Sequence, residues 1–215
     1  RDDENGAGVP DVDIAITTRE LGRMIERASI RFADLPDEEF DMPLGLGTGA
    51  AVIFGATGGV MEAALRSAYY FATGKNADPD AFSSVRGMKG WKESTFQMNG
   101  KEVRCAIVSG LGNTRKLMQA LRRKEVAYDF IEVMACPGGC SGGGGQPIHE
   151  GMELAKDRAQ FLYHLDGNSK LRFSHENPAI QALYAEFLGK PLSPLAEQLL
   201  HTDHDAWQMP LNRTK

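Results

Sequence analysis

Apolar and polar positions follow two different periods along the chain, and their order predicts alternating strands and helices. Residues 12–16 are rich in valine and isoleucine, which predicts a buried strand. Thr17 and Glu20 then form a Thr-x-x-Glu capping box, which predicts that a helix begins there. Apolar residues follow it at helical spacing: Leu21, Met24, Ile25 and Ala28.

The next stretch changes from an irregular connection to a second helix. Residues 32–48 contain two prolines and several acidic residues and show neither period, so they predict a connection without regular structure. Residues 52–54 then lead through the glycine-rich residues 55–59 into a predicted helix. The apolar face of that helix consists of Val60, Met61, Ala64, Leu65 and Ala68.

The middle of the chain predicts a sheet. Residues 74–100 form an excursion of loops and short strands. After it, the sequence predicts a strand over 103–108, a helix over 114–124 and a strand over 130–135. Strands that alternate with helices favour parallel pairing in one sheet. The sequence therefore predicts an α/β fold, a parallel sheet flanked by helices.

The last third of the chain turns helical. The predicted helices cover residues 154–165, 178–188 and 194–201. The middle helix has Asn177 as its N-cap, Pro178 in its first turn and Gly189 at its end. We therefore divide the chain into residues 1–147, which carry the α/β part, and a helical C-terminal extension over 148–215.

Charge and apolar length exclude two classes of function. Of 215 residues, 24 are Lys or Arg and 29 are Asp or Glu, which gives a net charge of −5. A protein that tracks nucleic-acid phosphates needs a basic face, so we predict no nucleic-acid partner. The longest apolar stretch, residues 49–61, falls short of the about 20 apolar residues of a membrane span. Residues 1–6 do not resemble a signal peptide and residue 1 is not Met, so we expect a processed chain or a fragment.

The cysteines and glycines carry the candidate chemistry. Three cysteines in 215 residues make no disulfide framework and suit a reducing compartment or a metal. Cys136 and Cys140 lie four positions apart after a predicted buried strand, where open α/β sheets bind ligands. Glycines 142–145 follow, and a glycine-rich turn allows the backbone to wrap a bulky group and direct N–H groups at it. Because thiolates are soft ligands that suit iron–sulfur clusters, this loop predicts a cluster site.

Other interpretations of these residues stay open at this point. Glycines 142–145 do not match the G-x-G-x-x-G loop that binds dinucleotides. Gly45-x-Gly47-x-x-Ala50 matches a variant of that loop, but it follows an irregular stretch and opens no predicted helix, so we set it aside as chance. A zinc site needs a second Cys or His pair, which the spacing does not show, and little favours a disulfide between the two neighbouring cysteines.

The remaining candidates are interpreted as structural. Cys105 lies within a predicted strand, where a free cysteine is typically a small core residue. Met88 and Met98 are predicted to pack. The histidines show no metal-ligand spacing: His149, His164, His175, His201 and His204.

The residues around the cysteines also resemble a known family. The third signature of the [FeFe]-hydrogenases is similar to the pattern Glu132-x-Met134-x-Cys136-x-x-Gly139-Cys140-x-x-Gly143-Gly144-Gly145-x-Pro147, whose long unbroken spacing is very specific. Further segments resemble the same catalytic domain: residues 17–21, 41–45 and 53–66 upstream, and 175–178 and 187–191 downstream. The resemblance covers nearly the whole chain.

The resemblance implies an H-cluster, in which a [4Fe–4S] cubane held by four cysteines is bridged to a two-iron subcluster with CO, cyanide and azadithiolate ligands. By position in the motif, Cys136 would be a terminal cubane ligand and Cys140 the bridging ligand. Met134, Phe54 and Gly55 would line the pocket of the two-iron unit, where apolar side chains help to exclude water. The implied activity is the reversible oxidation of H2 and reduction of protons.

The sequence departs from the family in one respect. The family's first two signatures, Thr-Ser-Cys-Cys-Pro and Met-Pro-Cys-x-x-Lys, supply the other two cubane ligands, and neither occurs here. We therefore expect this chain to be the C-terminal half of a catalytic subunit. Its N-terminal half, on a preceding segment or a separate polypeptide, would carry the other cluster cysteines.

The resemblance also implies partners and leaves alternatives. Electrons would pass through iron–sulfur clusters outside this chain to ferredoxin or to NAD(P)-linked subunits. The long extension is similar to that of the larger soluble members, which favours a cytoplasmic enzyme and leaves the periplasm open. The alternatives are a non-catalytic iron–sulfur assembly factor, an H2 sensor, and a cluster-free piece without activity of its own. Assembly factors have a degraded glycine run and pocket, whereas residues 142–145, Met134 and Phe54 are intact here, which favours the enzyme.

Overall fold

A three-stranded sheet with helices on both faces forms the centre of the computed structural model, which describes residues 12–39, 41 and 45–201. The strands are β1 (Trp91–Met98), β2 (Lys101–Ser109) and β3 (Phe130–Met134). The helices are α1 (Thr18–Arg27), α2 (Gly49–Val52), α3 (Gly59–Thr73), α4 (Leu111–Arg122), α5 (Ala155–Asn168), α6 (Pro178–Leu183) and α7 (Pro194–Leu200).

The sheet is mixed, with the strand order β1-β2-β3. β2 and β3 are parallel and are joined through α4, which confirms the predicted parallel pair. β1 pairs antiparallel with β2, so the 74–100 excursion ends in a full strand of eight residues. The hairpin turns at Asn99 and Gly100, both at positive φ, and an Asn-Gly pair between strands is a strong signal for that turn.

The side chains of β2 alternate between the two helical layers. Cys105 and Ile107 pack toward α3 in a cluster of buried residues that also contains Met61, Leu65, Phe82, Val85 and Met98. Ala106 and Val108 pack on the opposite face against Leu117 of α4. Alternation along a strand that is covered on both faces is what an α/β fold requires, and it places the Cys105 side chain in the core as predicted.

A cluster of charged side chains, three of them fully buried, links α5 to α3 and to the connection before β1 through ion pairs. The cluster consists of three carboxylates and three guanidinium groups: Glu62, Asp80, Asp166, Arg66, Arg86 and Arg172. Arg66 is fully buried at its centre. Its five N–H groups donate to the carbonyl oxygens of Pro79 and Arg172 and to carboxylate oxygens of Glu62 and Asp166, at 2.8–3.0 Å.

The guanidinium groups lower the pKa of two carboxylates of this cluster, Asp80 and Asp166. A hydrogen bond from Arg172, assisted by one from Arg86, lowers the pKa of Asp80 to about 2. Burial raises the pKa of Asp166, but hydrogen bonds from Arg66 and Arg172 outweigh burial and leave that pKa below its usual value. Each charge is therefore balanced within the cluster.

Two expectations from the amino-terminal part of the chain have different outcomes. The capping box at α1 is confirmed, since the Thr17 hydroxyl accepts from the Glu20 N–H at 3.3 Å and the Glu20 carboxylate accepts from the Thr17 N–H at 2.7 Å. The predicted buried strand over 12–16 is wrong. Val12 and Ile14 are more than two-thirds exposed, and the segment pairs with none of the three strands. A short β-branched run needs a sheet edge to pair with, and this one pairs with none of the described strands.

The C-terminal helices agree with their predicted positions. Asn177 caps α6 by accepting from the Ala179 N–H at 3.0 Å, and a π-helical turn (Tyr184–Leu188) continues the helix to Gly189. The prediction that the Gly45-x-Gly47-x-x-Ala50 pattern opens no helix is wrong, because α2 begins within it. No helix in the described ranges is long and apolar enough to cross a bilayer. Pro43, Leu44 and His204 lie outside the described residues.

Candidate metal centre at the cysteine loop

The cysteine loop, residues 135–147, follows directly on the carboxyl end of β3. Cys136 lies two residues beyond the strand, and Cys140 begins a 3-10 turn (Cys140–Gly142). Both thiols are free and both residues are exposed, so no disulfide joins them. The strand is held at this point by a bond from the Gly110 N–H to the Met134 carbonyl at 2.7 Å. The end of β3 is therefore held in place, and the two cysteines that follow it are accessible to a ligand.

The loop packs closely against the turn before α3. Gly139 has φ 89°, and a Cβ atom there would lie 2.5 Å from the Gly55 carbonyl oxygen and 2.9 Å from the Thr57 nitrogen. An L side chain would be strained by this backbone conformation and would collide with the neighbouring backbone. Glycine at this position is what allows the cysteines to approach Gly55.

Hydrogen bonds fix the backbone of the loop from three directions. The Gly138 N–H donates to the Ser109 hydroxyl at 3.0 Å, and the Thr57 N–H donates to the Gly138 carbonyl at 3.2 Å. The Ser141 hydroxyl also donates to that carbonyl at 3.1 Å. The loop is thereby tied to the end of β2, to the turn before α3 and to itself.

Side chains and backbone on the far side complete the support. Gln146 donates its amide to the Cys140 carbonyl at 3.2 Å, and Arg158 of α5 donates to the Ser141 carbonyl at 3.0 Å. At the end of the glycine run, the Gly145 carbonyl accepts from the Arg19 N–H at 3.1 Å, which attaches α1 to the loop. The backbone is therefore occupied with contacts inside the chain, whereas the two thiols are not.

A cavity of about 500 Å³ opens beside Cys140. Gly55 and Cys140 both line it, so the structure brings these two predicted site residues together. α5 supplies the opposite wall with Phe161 and Leu162, which the sequence had placed in the C-terminal extension. The extension is thus part of the candidate site.

The other predicted site residues lie near the loop without lining that cavity. Phe54 is adjacent to Gly55 in a 3-10 turn (Ile53–Gly55) and is 47% exposed. Met134 is partly buried at the end of β3. Cys136 lies next to Gly143, where a Cβ would be 3.8 Å from the Cys136 sulfur. The predicted roles of these three residues stay predictions.

Sequence reasoning missed the residues that hold the loop. Ser109 and Arg158 carry no recognised chemistry in the sequence. Glu132 belongs to the quoted signature but has no role assigned there, although an acid within an apolar strand is itself a signal. Glu132 is buried and accepts two backbone N–H groups at the start of α3. Only the fold shows that Ser109 and Arg158 bond to the cysteine loop and that Glu132 bonds to the start of α3.

Two thiols are all that the described residues bring to a metal here. No group of three or more His, Cys, Asp or Glu residues in the described ranges is arranged so that it could hold a metal ion. Cys105 does not extend the set, because its side chain is inaccessible and burial raises its pKa to about 11, which keeps it protonated. A centre at this loop therefore needs ligands from outside the described residues.

Two family models match the chain. Residues 1–144 match the model for the iron only hydrogenase large subunit, C-terminal domain, and residues 152–207 match the model for the iron hydrogenase small subunit. Residues 145–151 lie between the two matches.

Individual relatives agree with the family models. The NADP-reducing hydrogenase subunit HndD of Solidesulfovibrio fructosivorans is 55% identical over 198 residues, which cover 92% of this chain and 34% of that protein. A solved structure of a variant of the apo [FeFe]-hydrogenase HydA1 from Chlamydomonas reinhardtii has a TM-score of 0.70 and 42% identity, with 90% of this chain and 55% of that chain covered.

A more distant relative is named for a different role. The cytosolic Fe-S cluster assembly factor narfl of Xenopus tropicalis is 32% identical over 200 residues, which cover 91% of this chain and 42% of that protein. This chain therefore spans about a third to two-fifths of the length of these relatives.

Proposed function

Because the chain belongs to the iron-only hydrogenase large-subunit family, C-terminal domain, we propose that it forms the C-terminal part of the catalytic domain of an [FeFe]-hydrogenase. In this role it would help to catalyse the reversible oxidation of H2 and reduction of protons. The observation that carries the proposal is a pair of exposed, free thiols on a loop whose backbone is fixed by Ser109, Thr57 and Arg158.

The donor set of the loop fits half of a thiolate-held cluster. Cys136 and Cys140 offer soft sulfur ligands, which suit iron–sulfur centres. The cavity beside Cys140 leaves space for a bulky group, and Gly143 keeps a side chain away from the Cys136 sulfur. Because a cubane cluster takes four thiolates, two further cysteines would come from the N-terminal half of the catalytic subunit.

Each candidate site residue of this chain then has a proposed task. Cys136 and Cys140 would bind iron, with Cys140 as the ligand shared between a [4Fe–4S] cubane and a two-iron unit carrying CO, cyanide and azadithiolate. Phe54 and Met134 present apolar side chains beside the loop, where they would exclude water once the N-terminal half covers them. Gly55 keeps the wall of the cavity free of a side chain next to Cys140. When bound, the metal group supplies the heterolytic cleavage and formation of H2.

Electron transfer requires partners beyond this chain. The 55% identical relative is by name an NADP-reducing hydrogenase subunit. We therefore propose that electrons leave through further iron–sulfur clusters to NAD(P)-linked subunits, with ferredoxin as the other acceptor class.

An iron–sulfur assembly role is the second candidate, and the 32% identical assembly factor favours it. The two candidates differ in what the loop must hold. An assembly factor without a two-iron unit has no need for a shared Cys140 ligand beside an open cavity. The test is therefore the presence of metal-bound CO and cyanide.

The experiment is infrared spectroscopy of the full catalytic subunit, isolated without oxygen and with its partner segments. The proposal expects CO and cyanide stretching bands that shift under H2. It also expects Cys140→Ser to remove these bands, and Cys136→Ser to lower the iron content by weakening the cubane.

Cys105→Ala is the matched control, because it removes the third thiol from a site in the core. It should leave the bands in place at a cost in stability only. Absence of CO and cyanide bands in the wild-type protein with a cubane still present would favour the assembly role. Full bands in Cys140→Ser would contradict the ligand assignment.

A further inference from the structure

Glu132 joins the cysteine-bearing strand to the helix that follows Gly55. It lies in the middle of β3 and is 5% exposed. One carboxylate oxygen accepts the Gly58 N–H and the other accepts the Met61 N–H, each at 2.6 Å. The two contacts connect segments more than 70 residues apart in sequence.

The contact takes the place of an ordinary helix cap. The first N–H groups of a helix have no partner within the helix, and a side chain of the N-cap residue usually satisfies one of them. Here the N-cap is Gly58, which has no side chain to do so. Glu132 supplies the acceptor from another element, and a carboxylate at a helix N-terminus is also favoured by the helix dipole.

The position of this contact matters because of what lies on either side of it. Four residues after Glu132 the chain reaches Cys136, and three residues before Gly58 it passes Gly55. The carboxylate therefore links the two chain segments between which the candidate centre lies. A Cβ atom at Gly139 would lie only 2.5 Å from the Gly55 carbonyl oxygen, so these segments have little room to shift independently.

We propose that Glu132 is a positioning residue for the metal centre. By holding β3 at the start of α3, it sets the placement of the Cys136 and Cys140 thiols relative to Phe54 and Gly55. The inference rests on the proposed hydrogenase function and adds a residue that touches neither iron nor substrate. A cap that only stabilises α3 would account for the same contacts, so the test must separate the two roles.

The central variant is Glu132→Gln. An amide oxygen still accepts one N–H, but the amide NH2 then faces the other N–H donor, so one of the two contacts is lost without a change in size. We expect the infrared bands of the holoenzyme to shift or broaden, and H2 turnover to fall about 10-fold to 100-fold, as is typical when a residue supporting a metal ligand is replaced.

Glu132→Asp provides a second variant, which keeps the charge and shortens the side chain by one methylene. It should retain more turnover than Glu132→Gln, and it serves as the test if Glu132→Gln does not accumulate folded protein. Asp129→Asn is the matched control. Asp129 accepts the Arg104 N–H at 2.8 Å at the opposite end of β3, far along the strand from the cysteines, so its bands and turnover should equal those of the wild type.

The outcomes separate this inference from the proposed function. Lower thermal stability of Glu132→Gln with unchanged bands and turnover would show a simple cap and overturn the positioning role alone. Absence of CO and cyanide bands in the wild-type protein would overturn both. Shifted bands in Glu132→Gln, with wild-type bands in Asp129→Asn, would support the positioning role.

Discussion

The cysteine loop and the buried charge cluster use polar groups in opposite ways. In the charge cluster the side chains are bonded to one another, and Arg66 uses all five of its N–H groups within the chain. In the cysteine loop the backbone is bonded, while the thiols of Cys136 and Cys140 are exposed and free. The first region satisfies its polar groups within the chain, whereas the second leaves two thiols accessible to a ligand.

α5 takes part in both regions, which explains how a helical extension contributes to the site. Asp166, near its end, is fully buried in the charge cluster. Arg158, Phe161 and Leu162, earlier in the helix, reach the cysteine loop and its cavity. The charge cluster therefore fixes the C-terminal end of α5, and earlier turns of the same helix contact the cysteine loop and line its cavity.

The largest expected effect comes from Arg66→Met, which removes the centre of the charge cluster. Asp166 would then lose two hydrogen bonds and Glu62 one while both stay buried. Removing one partner of a buried ion pair typically costs about 3–5 kcal/mol. The measurement is the free energy of unfolding from urea denaturation. Arg115→Met, the same change at an exposed position of α4, should cost less than about 0.5 kcal/mol. Equal losses in the two variants would show that burial of the cluster is not what stabilises the fold.

The next largest effect is expected in the cysteine loop. The conformation of this loop depends on close packing, whereas the charge cluster depends on ion pairs. Gly139→Ala would place a methyl group 2.5 Å from the Gly55 carbonyl oxygen in a backbone conformation that alanine disfavours. We expect a loss of about 1–3 kcal/mol from overpacking, together with reduced iron content of the isolated protein.

Gly144→Ala is the control for that change within the same glycine run. A Cβ at Gly144 meets no atom within 4 Å, so stability and iron content should stay at the wild-type level. Iron loss in both variants would mean that any added side chain in the run disturbs the centre. Iron retention in Gly139→Ala would mean that the loop tolerates displacement from Gly55.

The sequence predicted the sheet and the cysteine loop better than it predicted what supports them. The strand over 130–135 and the helix over 114–124 match β3 and α4 within a few residues, because strong periodicity and clear breakers define both. The strand over 12–16 failed because its apolar residues have no partner in the sheet, and pairing is a property of the fold and not of a segment.

The support of the site lay beyond sequence reasoning for a similar reason. Cys136 and Cys140 can be recognised in the sequence as candidate metal ligands by their residue type and spacing. Glu132 acts through backbone N–H groups at Gly58 and Met61, and a backbone donor leaves no mark on the sequence. Contacts between distant segments become visible only when the fold brings them together.

The smallest expected change in stability comes from Asp80, at the edge of the charge cluster. It tests how far burial of the guanidinium partners strengthens an ion pair. Asp80 is about half exposed, but its partners Arg172 and Arg86 are largely buried. Their hydrogen bonds lower the pKa of Asp80 from 3.8 to about 2, so the carboxylate stabilises the fold above pH 4 and this contribution is lost as the pH falls toward 2. Because solvent screens the exposed half, we expect Asp80→Asn to cost at most about 1 kcal/mol at pH 7.

Unfolding measured in urea between pH 7 and pH 2.5 checks this, and Asp34→Asn is the comparison. Asp34 has similar exposure and contacts Arg31 at 2.7 Å, but Arg31 is 86% exposed. Since an exposed partner remains hydrated, that substitution should change stability by less than about 0.5 kcal/mol. The gap between wild type and Asp80→Asn should narrow as the pH falls below 4, because protonation removes the same charge from the wild type. A constant gap would mean that Asp80 acts through packing, and an equal cost for Asp34→Asn would mean that burial of the guanidinium partner is irrelevant.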